Sequence, residues 1–218
     1  MSMSLASTFE LTDRTVNRPG WLRQRLRRSR PADCGWSEQN RAFINQILKS
    51  QLTGKTALPY GLGMEHAAYR DVIKMLAEGR LRSLDSRWQG DEWPSIKAKA
   101  DLLASLYLSR LDERNQLVDL MMKHADEKAY GAEVMAVIIS TACLSSNHLW
   151  RALGLQHRDQ LRALLLHNYP SLATANTQDM RWKKFFYRQL CESGGDYVCR
   201  APSCQECATF AECFGPED

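Results

Sequence analysis

No run of this chain stays apolar for as long as a membrane crossing requires. Its longest apolar-rich stretch, Val134 to Leu144, is far short of the roughly 20 residues that a helical span needs, so no membrane-embedded role is expected. The opening residues, MSMSLASTFELTDR, carry no basic segment followed by an apolar one and do not read as an export signal; a cytoplasmic protein is the expectation. A Gly-rich phosphate loop, an H-E-x-x-H helix and a G-x-S-x-G elbow are all missing, and with them the sequence-readable forms of P-loop, zincin and α/β-hydrolase chemistry. Histidine is scarce at five residues, and no Cys/His/acid arrangement follows from chain order alone. Internal repeats of about 20 to 50 residues are absent as well, which removes solenoids and propellers from consideration.

What is present is an ordinary globular balance, 44% apolar and 25% charged over 218 residues, enough for one domain with a sizeable core. Charge is distributed unevenly. Residues 1–36 hold seven arginines against Glu10, Asp13 and Asp33, and thereby the whole formal charge of +4; the other 22 basic residues are matched by 22 acidic ones. Six of these arginines lie in RPGWLRQRLRRSRP, with Trp21, Leu22 and Leu26 interleaved. A single-sign block of this kind is expected to be a solvated leader. An arm for an acidic partner is the competing reading, and nucleic acid is not the expected partner.

From Trp36 onward the apolar spacing is helical nearly everywhere. Ser37 is placed to cap a helix carrying Phe43, Ile44, Ile47 and Leu48, which Gly54 ends. After LPYGLG, a second helix is predicted from Met64 through Val72, Ile73 and Leu76 to Gly79. Trp93-Pro94-Ser95 opens a third with Ala98, Leu102, Leu103 and Leu106 on its apolar face, and Asp112 a fourth with Leu117, Leu120 and Met121. Gly131 to Leu144 is apolar on most sides and β-branched in the middle; its length and the lack of a partner strand favour a central buried helix over a strand. Shorter helices are predicted from Asn147 to Leu153 and from Arg158 to His167, the latter ended by Pro170, and a last one from Met180 to Cys191. The expectation is an all-α fold: one multi-helix domain over 37–191, a cysteine-rich metal-binding tail over 192–218, and a basic, disordered leader over 1–36.

Five of the seven cysteines fall in the last 28 residues, four of them as Cys199-x4-Cys204-x2-Cys207-x5-Cys213. An odd cysteine count in a reducing compartment points away from a disulfide framework and toward metal ligation. Structural zinc is usually held by two C-x2-4-C pairs, and only Cys204-x2-Cys207 is one here. The wider flanking spacings suit a cluster several atoms across, each metal taking one thiolate, so iron and sulfur are favoured. Zinc and reactive thiols are the alternatives. Upstream, Lys184, Arg188 and Cys191 stand at i, i+4 and i+7 of the last predicted helix. Two cations and a thiol on one face could meet an oxyanion or offset a thiolate-bound cluster, or form a solvated face. His148, in SSNHLW, is the best non-cysteine candidate for a metal contact; Ser146 or Asn147 is expected to cap the helix that holds it.

The tail CRAPSCQECATFAECFGPED, preceded by MRWKKFFYRQLC and joined by STACLSSNHLWRALGL and LPYGLGM, resembles the NifQ family of nitrogen fixation. The likeness runs from roughly Asn40 to Asp218 and leaves out the leader. It implies a carrier of an iron-sulfur cluster, containing molybdenum (MoFe3S4 type) or all-iron (4Fe-4S), that donates molybdenum to the iron-molybdenum cofactor of nitrogenase and is not a turnover enzyme. Implied partners are molybdate or a molybdenum-sulfur species, the nitrogenase iron protein and the cofactor scaffold complex. By this resemblance Cys199, Cys204, Cys207 and Cys213 are the metal-binding set, with the role of Cys191 open.

Overall fold

The computed structural model describes residues 36–77 and 93–193. The expected leader up to Gly35, Gly79, and the tail from Gly194 onward lie outside them. Nine α-helices and no strand occur among the described residues: α1 Glu38–Leu52, α2 His66–Ala77, α3 Trp93–Leu108, α4 Leu111–Lys123, α5 Ala132–Cys143, α6 Leu149–Leu153, α7 Arg158–Asn168, α8 Pro170–Ala175 and α9 Trp182–Glu192. None is long and apolar enough to cross a membrane.

α1 begins where expected, because Ser37 Oγ accepts the Asn40 N–H at 3.3 Å and satisfies one of the unpaired donors of the first turn. It buries Ile44, Ile47 and Leu48. α5 is the centre of the fold: ten of its twelve residues are buried. It packs chiefly on α4, then on α6 and on a 3-10 turn at Tyr60–Gly63. The stretch that was ambiguous between helix and strand is therefore a helix, surrounded rather than paired. Gly63 lets the 3-10 turn approach, since a Cβ there, at φ +81°, would lie 2.1 Å from Thr141 Oγ1.

Two expectations change. In α3 the row Ala98, Leu102 and Leu106 faces outward, with Leu102 60% and Leu106 56% exposed. The inward row is Ile96, Ala100, Leu103 and Tyr107. Both rows have helical spacing; Tyr107 selects between them because its ring fills interior space and its hydroxyl donates to the Ala57 carbonyl at 3.0 Å. Pro170, expected only as a stop, instead opens α8 at its first position, where a missing N–H and a fixed φ suit a helix start.

Polar groups inside the core fix how the helices meet. Asn40 on α1 and Asn168 on α7, both fully buried, exchange amide hydrogen bonds of 2.7 and 2.8 Å. The Tyr169 hydroxyl donates to the Ala132 carbonyl at 2.6 Å and ties the α7–α8 corner to the first turn of α5. Asn168→Ala leaves Asn40 Oδ1 without its donor in a buried site, while Asn40 Nδ2 keeps the Tyr130 carbonyl, and should lower the unfolding free energy by about 2 kcal/mol, whereas a loss under about 0.5 kcal/mol would mean that other groups satisfy it. The urea midpoint at unchanged m-value reads the difference.

Candidate functional site

α9 is the element that leads into the cysteine tail, and its sequence divides it into two sides. Trp182, Phe185, Phe186 and Leu190 are buried; the Trp182 and Phe185 rings meet edge-on, 5.9 Å between centroids. Lys184 and Arg188 are exposed, and Cys191 is half-buried at the helix end. The Arg188 guanidinium is engaged by Glu192, Nε to Oε1 at 2.7 Å. The basic face proposed from spacing thus exists, but half of its charge is paired.

Between those sides, Lys183 and Tyr187 reach other elements. Lys183 Nζ donates to the Ser145 carbonyl at 2.7 Å and to its hydroxyl at 3.0 Å. The Tyr187 hydroxyl donates to Glu113 Oε1. Glu113 also accepts two guanidinium N–H bonds from Arg110, at 2.7 and 2.6 Å, and Arg110 Nη1 donates to the Leu144 carbonyl. One polar cluster therefore joins the start of α4, the end of α5 and the middle of α9. The two cations sit just beyond the end of α5, on the Leu144 and Ser145 carbonyls, close to the negative end of that helix's dipole.

Burial alone would raise the Glu113 pKa, but the hydrogen bonds from Arg110 and Tyr187 together outweigh it and hold the carboxyl below its ordinary value. Tyr187 is pushed well up, by burial first and by the carboxylate second. Cys143, the last residue of α5, is pushed up to about 12 by burial and stays a protonated thiol, unsuited to metal ligation or nucleophilic attack.

His148 is half-buried and is itself the N-cap of α6, with no capping bond from its side chain. This corrects the expectation that Ser146 or Asn147 would take that position: the helix begins at Leu149, later than predicted. His148 follows Ser145, the acceptor of Lys183, by three residues, so it belongs to the turn that the polar cluster holds. Cys199, Cys204, Cys207 and Cys213 lie outside the described residues. Among the described residues no group of three or more His, Cys, Asp or Glu side chains gathers to hold a metal. Glu113 and Tyr187 escaped the sequence reading because 74 residues separate them; the only local signal was the i, i+4, i+8 spacing of Lys183, Tyr187 and Cys191.

The model of the family described as NifQ matches residues 43–215, from α1 through all four tail cysteines. The chain belongs to the NifQ family. This is a nitrogen-fixation family. The Azotobacter vinelandii protein NifQ is 38% identical over 178 residues, covering 82% of this chain and 89% of that protein. The Klebsiella pneumoniae protein NifQ is 35% identical over 162 residues, covering 74% and 90%, and a NifQ homolog from Sinorhizobium fredii is 46% identical over 103 residues, covering 47% and 45%. No solved structure matches. The match to the NifQ family takes in the described helices from α1 onward and the sequence positions of the cysteine run, while the arginine-rich leader precedes it.

Glu113 gives a pH test of the cluster. Its folded pKa is depressed below 4.5, so its stabilisation is fully present above that value and is lost as pH falls through the folded pKa. Glu113→Gln should therefore be less stable than wild type at neutral pH, with the gap in urea midpoint closing as pH falls below 4.5 and through the depressed folded pKa. A gap that does not change with pH would mean that Glu113 is neutral in the fold.

Proposed function

We propose that the chain is a carrier of an iron-sulfur cluster containing molybdenum, and that it donates the molybdenum to synthesis of the iron-molybdenum cofactor of nitrogenase. It acts in cofactor assembly, not in catalytic turnover. The observation that carries this reading is the position of Cys199, Cys204, Cys207 and Cys213 inside the NifQ match. Four closely spaced thiolates are soft ligands, suited to iron, sulfur and molybdenum together. The cluster is cargo, and the four tail thiolates are its proposed principal ligands.

The helical domain contributes a fixed root for the tail and a charged neighbourhood. Lys184 is exposed beside the Arg188–Glu192 pair, where its ammonium offers a contact for molybdate, a dianion, or for a molybdenum-sulfur species. The recipients are the nitrogenase iron protein and the cofactor scaffold complex, met in the cytoplasm. Release requires one metal to be held less completely than the others, so part of its ligation is labile or comes from outside the four cysteines. His148 and Cys191 are the candidates.

Metal analysis of anaerobically purified protein tests the reading. A brown protein with several irons per chain supports it; a colourless one with a single zinc would make the tail a structural staple of an interaction or regulatory module instead. Serine at Cys199, Cys204, Cys207 or Cys213 should strongly lower iron content, while Cys143→Ser, at a buried thiol outside the tail, should not. Wild-type iron in all four tail variants would sink the assignment.

A further inference from the structure

α3 turns a row of apolar side chains outward. Leu102, Leu106 and Leu108 are each more than half exposed, and they are the most exposed large hydrophobic side chains among the described residues. Ser95, Ala98 and Ser105, small and exposed, lie on the same outward side and keep it flat enough for a second helix to approach. Single exposed leucines are ordinary; three gathered on one helix mark a contact surface.

Positive charge collects at one end of this row. Lys99, Leu102 and Leu106 stand at i, i+3 and i+7 and so follow one line along the helix. At the head of that line Lys99 Nζ donates to the Gly54 carbonyl, just past the end of α1, at 2.8 Å, and the Ile96 side chain lies over Gly54. Lys49 and Lys55 stand on either side of Gly54 in the chain, both exposed, and among the described residues neither ammonium pairs with a carboxylate. The two segments that meet here, 46–57 and 93–108, hold four lysines against a single acid, Asp101, which Lys97 neutralises at 2.6 Å. Lys49, Lys55 and Lys99 remain as a basic end to an apolar row.

The geometry points to a docking face for an acidic amphipathic helix of a partner protein, with the partner's apolar side on Leu102, Leu106 and Leu108 and its carboxylates at Lys49, Lys55 and Lys99. Size and charge select this occupant. A helix of 16 residues offers a footprint of about 24 Å by 10 Å, well under the roughly 800 Å² that each copy of a stable dimer buries, and matched to one helix laid along it. A bilayer or a nucleic acid is anionic throughout and calls for cations along the whole row; here they stand at one end, and Asp101 lies beside the middle. A directional partner, apolar along its length and acidic at one end, fits both features. This face lies outside the proposed cluster function and does not depend on it.

The test uses the full-length chain and a fluorescein-labelled synthetic helical peptide, about five turns long, with leucines at i, i+3, i+4 and i+7 and glutamates on its other side. A second peptide carries lysines in place of the glutamates. Fluorescence anisotropy should show saturable binding of the glutamate peptide and binding of the lysine peptide weaker by about tenfold or more. Leu102→Ser combined with Leu106→Ser should weaken the glutamate peptide by roughly tenfold. Lys49→Gln combined with Lys55→Gln should weaken it by roughly threefold and flatten its salt dependence. Both double variants should keep wild-type far-UV helicity and urea midpoint, since the altered side chains are exposed. No saturable binding of the glutamate peptide, equal binding of the two peptides, or wild-type affinity in the leucine variant overturns the docking face. So does association with phosphatidylglycerol vesicles, with duplex DNA or with a second copy by light scattering, where the leucine substitutions abolish it, because the face then serves that occupant instead.

Discussion

A helix buried on almost every side ends inside the protein, and its last carbonyl groups have no further turn to bond. This is the situation of α5, whose final residues, from Ser140 to Cys143, are all buried. Orphaned carbonyls in a dry interior cost about 1–3 kcal/mol each, so the end of α5 needs donors. The turn itself supplies some, Leu144 N–H to the Thr141 carbonyl and Ser145 N–H to the Ala142 carbonyl, and just past the helix Arg110 donates to the Leu144 carbonyl and Lys183 to the Ser145 carbonyl. Two cations in one place then require a counter-charge, and Glu113 provides it. The polar contacts among α4, the turn after α5 and α9 thus gather where the central helix ends.

The helical domain was legible wherever one apolar face met one cap. Ser37 with Ile44, Ile47 and Leu48 marked α1 correctly, and the all-round apolar character of Val134 to Leu144 marked the centre. Periodicity failed in α3, where two apolar rows share the helical period and the choice between them lay in a hydroxyl of Tyr107 reaching Ala57, 50 residues away. It failed at Pro170 for a local reason: proline ends one helix and begins another with the same geometry, and chain order does not say which. Nothing in the pattern joined Glu113 to Tyr187, because a hydrogen bond across 74 residues leaves no periodic trace.

The candidate site was legible in the opposite way. The cysteine spacing is a local signal and needed no fold to be seen, and it lies within the span that matches the family. The basic face of α9 was also visible as a spacing, but its electrostatic meaning was not. Glu192 stands four residues after Arg188 and pairs with it, which leaves Lys184 as the cation of that face with the clearer claim on an incoming anion. The same i, i+4 rule that aligned Lys184 with Arg188 aligned Arg188 with Glu192, and only the second pairing has opposite charges.

Under the proposed carrier function, a protein that gives up its metal faces a constraint that a zinc finger does not. Where metal binding is the folding energy, removal of the metal unfolds the chain. Here the core is built from apolar groups contributed by α1 through α9, including the fully buried Ile44, Met121, Met135, Ile138 and Phe186. Its buried polar pairs, Asn40 with Asn168 and Tyr169 with Ala132, are closed without any metal. The described domain is therefore complete in itself, and its last helix is held both by burial and by direction. A scaffold closed without metal is what the proposed carrier function asks of the domain that precedes the cysteine run.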